Sequence, residues 1–133
     1  MTTSNSGYHG DLFGAARASD DFRQVLATAA HTQLVIMTLP PGGEIGAEVH
    51  HGIDQILIAV DGAGESVVDG VKRPMREGHA VVVPEGVEHN IVNTGDRPLR
   101  LVTVYGPPDH RPGTVHHTRA DAERDELDVP PPA

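Results

Sequence analysis

The pattern of apolar and polar positions along this chain changes character near Phe22. Before it, residues 11–18 read as one or two helical turns with Asp11 or Gly10 near the cap, and Ser19-Asp20-Asp21 ends them. After it, short β-type runs follow one another at 22–28, 32–39, 46–50, 55–60, 65–69, 80–83, 89–93 and 99–104. Gly, Pro and Asp clusters such as Pro40-Pro41-Gly42-Gly43, Asp61-Gly62-Ala63-Gly64 and Pro84-Glu85-Gly86 separate them. No helix long enough for a βαβ crossover lies between the runs, so the pattern predicts an antiparallel sandwich or barrel. Asp69-Gly70 between two alternating segments predicts a two-residue hairpin.

Runs 56–60 and 81–83 are apolar at successive positions rather than at alternate ones. One face of such a strand lines the barrel, and the other is expected to meet a second sheet, the N-terminal arm or another subunit. After Tyr105, the Gly-Pro-Pro-Asp-His-Arg-Pro-Gly stretch leaves the sheet as an extended loop. Thr118 then has N-cap character for a short acidic helix over 120–127, which the terminal prolines cannot continue. The expected organisation is an N-terminal arm at 1–21, of which 1–10 are too small and polar to hold structure, a barrel at 22–106, and a loop with a short helix at 107–133.

Length agrees with one domain, since 133 residues bury a sizeable core without staples. With no cysteine, a metal site must use nitrogen and oxygen, and thiolate chemistry is excluded. The formal charge of -9 repels polyanions, and 3% aromatic residues offer little for stacking on bases, so nucleic acid is not an expected partner. Neither a signal-like N-terminus nor an apolar run of membrane-spanning length is present, and the expected location is cytoplasmic.

The densest chemistry lies between Gly42 and Gly62, where Glu48, His50, His51, Asp54 and Gln55 fall within eight positions. On a strand, Glu48 and His50 share one face while Val49 and His51 take the other. One segment cannot enclose an ion, so further ligands must come from elsewhere. Downstream, Gly78-x5-Pro84-x-Gly86-x2-His89-x3-Asn93 resembles the second cupin motif at every fixed position. The frame Gly42-x5-Glu48-x-His50-x4-Gln55-x6-Gly62 resembles the first, with Glu in place of the usual first His and Gln in place of the usual Glu.

The resemblance, over residues 30–105, implies an all-β cupin double-stranded β-helix, a jelly-roll barrel flanked here by short helical segments. It implies one divalent metal ion (Zn, Mn, Fe, Ni or Cu) held by Glu48, His50, Gln55 and His89. Asp54 is the rival of Gln55, because the motif tolerates x3 and a carboxylate binds more strongly than an amide. Counting six positions onward reaches Gly62 from Gln55 but Asp61 from Asp54, which favours Gln55. His51, His79, His110, His116 and His117 are expected on the surface or in loops, Tyr105 in the core, and Asp121, Glu123, Asp125 and Glu126 on a solvated helix face.

Among cupins, the phrases around Phe22, Gln33 to Pro41, Asp54 to Leu57, Tyr105 to His110 and Gly113 to His117 look most like the small mannose-6-phosphate-isomerase-like proteins. The resemblance implies a Lewis-acid isomerase, epimerase or lyase acting on a small polar carbonyl or hydroxyl metabolite. A non-haem dioxygenase and a non-catalytic ligand-binding protein are the alternatives. The base is unassigned among Tyr105, His51 and Asp54, and no cation site for a phosphate stands out. The strands apolar on both faces, with the habits of the family, predict a homodimer. Sedimentation equilibrium at micromolar concentration is expected to return twice the chain mass, and a monomer there contradicts it.

Overall fold

In the computed structural model, which describes residues 7–131, the short β-runs become nine strands, flanked by one short helix at each end. In chain order they are α1 Leu12–Ala18, β1 Arg23–Thr28, β2 Gln33–Leu39, β3 Asp54–Asp61, β4 Ala63–Val68, β5 Val71–Arg76, β6 Ala80–Val83, β7 His89–Val92, β8 Leu99–Gly106, β9 Val115–His116 and α2 Arg119–Arg124. Every pairing is antiparallel. A six-stranded sheet in the order β6-β3-β8-β2-β1-β9 faces a three-stranded sheet in the order β5-β4-β7, the two layers of the expected jelly-roll. The readings for residues 1–6 and for the last two residues lie outside the described residues.

Alternation along β2 explains both faces of the larger sheet. Val35, Met37 and Leu39 point inward with Leu57, Leu101, Met75 and Ile91 to form the barrel core. Ile36 points outward and packs with Val60, Val102 and Ala16 of α1. The N-terminal arm therefore covers part of the second apolar face. Asp11 caps α1 by accepting from the Gly14 amide at 3.1 Å, and the Arg100 guanidinium donates to the Ser19 carbonyl just past its last turn. A cation there satisfies carbonyls that the helix leaves unpaired. Val82, 63% exposed, and its register partner Ile56 stay uncovered towards the β6 edge.

Three local expectations change. Segment 46–50 is not a regular strand: Glu44 and Glu48 form isolated bridges to Val92 and His89, because Gly46 at φ 106° breaks the ladder between them. The Asn90 side chain fills the gap, its Oδ1 accepting from the Gly46 amide at 2.8 Å and its Nδ2 donating to Glu44 at 2.8 Å. The stretch after Tyr105 returns to the sheet at β9, which pairs with β1. The C-terminal helix is shorter than 120–127 because the Asp125 side chain turns back to His116 at 2.9 Å, although Thr118 caps it in a full capping box as expected.

The hairpin forms where expected, with Asp69 at φ 50° and Gly70 at φ 77°, the left-handed pair of a type I′ turn. Gly62 is required for a second reason. Besides φ 91°, a Cβ there would meet the Pro98 carbonyl oxygen at 2.5 Å, whereas a Cβ on Gly70 meets nothing within 4 Å. Gly70→Ala is therefore expected to cost about 1–2 kcal/mol from backbone strain alone. Gly62→Ala is expected to cost more, since β3 and β8 must separate to admit it; urea unfolding of both variants gives the comparison.

Candidate metal centre

The four residues of the expected ligand set come from three places that the barrel brings together. His89 opens β7, and Glu48 lies opposite it, the two exchanging backbone N–H to O bonds of 2.9 Å in both directions. His50 follows two residues later, with Nε2 3.1 Å from Glu48 Oε2 and its ring centroid 5.1 Å from that of His89. Gln55, on β3, is the register partner of Tyr105 on β8, whose ring meets His50 edge-on at 5.9 Å between centroids. Asp54 points the other way: it is exposed, and its Oδ1 accepts from the Glu85 amide at 2.9 Å. His51 is exposed too.

The hydrogen bonds leave particular atoms open. His89 Nδ1 donates to the Val87 carbonyl at 3.0 Å, which puts the lone pair on Nε2. Gln55 Nε2 donates to Thr103 Oγ1 at 3.0 Å, while its Oε1 is buried with no hydrogen-bond partner among the described residues. His50 Nε2 is buried too and faces only the Glu48 carboxylate, at 3.1 Å, the two ends of a pair that an ion could enter. Each such atom costs about 1–3 kcal/mol unless something satisfies it. Two orphaned acceptor sites, a free imidazole nitrogen and a carboxylate suit a divalent cation of borderline softness. Among the described residues, however, no three His, Asp or Glu side chains are already closed into a metal-binding cluster.

Electrostatics follow from burial. For Glu48, burial works to raise the pKa, but the His50 contact outweighs it and holds the carboxyl below its ordinary 4.5. For His50, burial works to lower the pKa, but Glu48 and then Asp109 hold it above 6.5. The Tyr105 phenol is pushed well above its ordinary 10 by burial, so it keeps its proton and serves as a donor.

Asp109, His110 and Asp128 were not expected near this site. His110 lies in a loop as expected but is buried there, at 6% exposed, whereas His116 corrects the expectation, lying in β9 and 3% exposed. The reason is tertiary: each meets a carboxylate from the C-terminal segment. His110 Nδ1 stands 2.8 Å from Asp128 Oδ2, and its Nε2 3.2 Å from the Tyr105 hydroxyl. Asp109 Oδ2 lies between the rings, 3.6 Å from His50 Nδ1 and 3.5 Å from His110 Nε2. Buried Gln33 fixes this turn, donating to the His110 carbonyl at 2.7 Å and accepting from the His110 amide at 2.9 Å. Asp125, expected on a solvated face, accepts from His116 instead. The signal for Asp109 and His110 is their position directly after Pro107-Pro108, which stiffens the exit from β8.

Similarity to known proteins agrees with the barrel. The family model described as Cupin domain matches residues 35–105. An uncharacterized protein of Bacillus subtilis, YrkC, is 40% identical over 81% of this chain. The chain spans 61% of that relative's length. The crystal structure of BH2720 from Bacillus halodurans is similar at a TM-score of 0.88 and 32% identity, covering 92% of this chain and 98% of that one. A predicted oxalate decarboxylase from Thermotoga maritima is similar at a TM-score of 0.55 and 29% identity, covering 56% of this chain and 65% of that one.

For Asp128, burial works to raise the pKa, yet the His110 bond holds the carboxyl below its ordinary 3.8. A depressed carboxyl contributes stability that is full above its unfolded pKa and lost as pH falls through the folded one. Asp128→Asn is therefore expected to be about 1.5–3 kcal/mol less stable than the parent at pH 7, the range for a hydrogen bond to a charged group. The gap should shrink once the pH drops below 3.8, as denaturant titrations at both pH values will show.

Proposed function

The chain belongs to the cupin family, and from that premise we propose that it is a metal-dependent enzyme acting on a small polar carbonyl or hydroxyl metabolite, as an isomerase, epimerase or lyase. Glu48, His50 and His89 would hold one divalent ion, with Gln55 completing the set through its amide oxygen. The observation that carries this reading is the pair of buried atoms without partners, His50 Nε2 and Gln55 Oε1. When bound, the ion supplies Lewis acidity that polarises a carbonyl or hydroxyl oxygen.

The remaining chemistry belongs to side chains around it. His51 and Asp54 face solvent, and Tyr105 keeps its proton, which leaves His110 as the group we assign to proton transfer. Asp128 accepts from His110 Nδ1 and so keeps Nε2 as the acceptor, a base held by an orienting carboxylate. The Tyr105 hydroxyl, which keeps its proton, stands 3.2 Å from that nitrogen and positions the ring. The similarity to a predicted oxalate decarboxylase supports the lyase branch.

Elemental analysis of protein purified without a histidine tag is expected to find close to one divalent ion per chain, and His89→Ala to lose it. Uptake should weaken as pH falls through the raised pKa of His50, because the proton and the ion compete for the same imidazole. Unchanged metal content in Glu48→Ala, His50→Ala and His89→Ala would falsify the assignment. Turnover that stops without oxygen would move the reading to a dioxygenase, and metal with ligand binding but no turnover to a binding protein.

A further inference from the structure

Arg23 is the charged residue of β1 whose burial the barrel core does not explain. It shares the inward phase of Val25 but carries a charge, and it is 5% exposed. Its Nη1 donates to His116 Nδ1 at 3.2 Å, and His116 in turn donates from Nε2 to Asp125 at 2.9 Å. That chain fixes His116 in its neutral tautomer and ties the guanidinium to one wall. The side-on edge remains, and on it Nε is buried with no hydrogen-bond partner among the described residues. No carboxylate among them pairs with Arg23 directly, although Glu48 and Asp128 lie within its field. A buried guanidinium left so is costly, and the cost is removed by an anion that takes its free edge.

Arg23 also lines a recess of about 270 Å³ between the barrel mouth and α2. Glu48 and His110 form the barrel side of it, with Ile45 adding apolar surface and Arg119 and Ala122 coming from α2. The Arg119 guanidinium lies so close to Gly46 that a Cβ there would meet Nη2 at 2.6 Å, so glycine at 46 is what lets this second cation approach the recess. Two guanidinium groups line it beside a candidate metal ligand and a candidate base, and Glu123, also in the lining, stands 3.7 Å from Arg119 Nε, which leaves Arg23 as the cation with no carboxylate partner among the described residues.

We infer that this recess binds the carboxylate group of a small organic acid, with the free edge of Arg23 receiving its two oxygens and His110 and Glu48 at the other end of the molecule. A planar fork matched to a carboxylate is what arginine offers and lysine does not. The volume admits an acid of a few carbons. The inference rests on the proposed function in one respect, since it names the substrate class for the same site; the binding of the anion is a property of Arg23 and does not require the ion.

Glycolate is the probe, titrated calorimetrically into metal-free and manganese-loaded protein, with inorganic phosphate and ethylene glycol run alongside. Glycolate is expected to bind both forms and ethylene glycol neither. Arg23→Lys, which keeps the charge but loses the fork, and Arg23→Gln are expected to weaken glycolate by roughly ten- to hundredfold, the usual range for a charge-assisted hydrogen bond. Arg119→Gln, at a side chain 45% exposed on α2, removes the second cation of the recess and is expected to weaken glycolate as well, which keeps the test open if the Arg23 variants fold poorly. Glycolate binding that survives Arg119→Gln and Arg23→Lys, or that occurs only with manganese present, overturns the inference, as does phosphate binding in preference to glycolate. Metal content read on the same samples separates the two readings: parent protein that takes up no divalent ion yet binds glycolate removes the proposed metal centre and leaves the anion site standing.

Discussion

The two candidate ligands Glu48 and His89 are set opposite each other by one backbone pair. Glu48 and His89 exchange hydrogen bonds of 2.9 Å in both directions, and that exchange adds an irregular fourth segment to the three-stranded sheet. Bonds from Gly42 to Asn93 and from Ile45 to Ile91 hold the first half of residues 42–50 on the sheet, and the Glu48–His89 pair holds the half that carries the candidate ligands. The segment gives up regular pairing at Gly46, and the Asn90 amide supplies the hydrogen bonds that the ladder lacks there. The irregularity has a local effect of consequence: it opens the space in which Arg119 reaches the barrel mouth.

Histidines paired with aspartates hold the C-terminal segment on the barrel. His110 with Asp128, His116 with Asp125 and His117 with Asp21 join the loop, β9 and α2 to the strands beneath. The first two pairs are shielded at the histidine, whereas His117 is exposed, so its pair with Asp21 is a weaker surface contact. Burial gives the inner pairs a second property. Each fixes a tautomer, and through it the direction in which the outer nitrogen points, towards Tyr105 in one case and Arg23 in the other. Stability of the tail and orientation of the site are thus the same set of bonds.

Much of the architecture was legible in the chain. Period-two alternation and Gly-Pro-Asp punctuation located seven of the nine strands to within a few residues, and Asp69-Gly70 marked the hairpin because few other pairs tolerate two left-handed conformations in succession. The inward direction of Gln55 and the outward direction of Asp54 also agree with alternation from β3. The β5 and β9 strands were less legible. β5 is exposed at all but Met75, so it has no apolar stripe to read, and β9 is two residues long.

The polar surroundings of the site divide along the same line. Glu48, His50, Gln55 and His89 were named by the resemblance of two motif frames to those of cupins, and alternation added only that Glu48 and His50 share a face. Asp109, His110, Asp128 and Arg23 were marked by neither, because their partners are far along the chain: His110 meets Asp128 across 18 residues and Arg23 meets His116 across 93. The chain by itself determined most of the strands and turns, which follow from local backbone preference and alternation, and the resemblance of its two motifs to those of cupins named the candidate ligands. Only the closed barrel decided which histidines are buried, which aspartates orient them and where the one buried arginine points, because these depend on which distant segments share a low-dielectric interior.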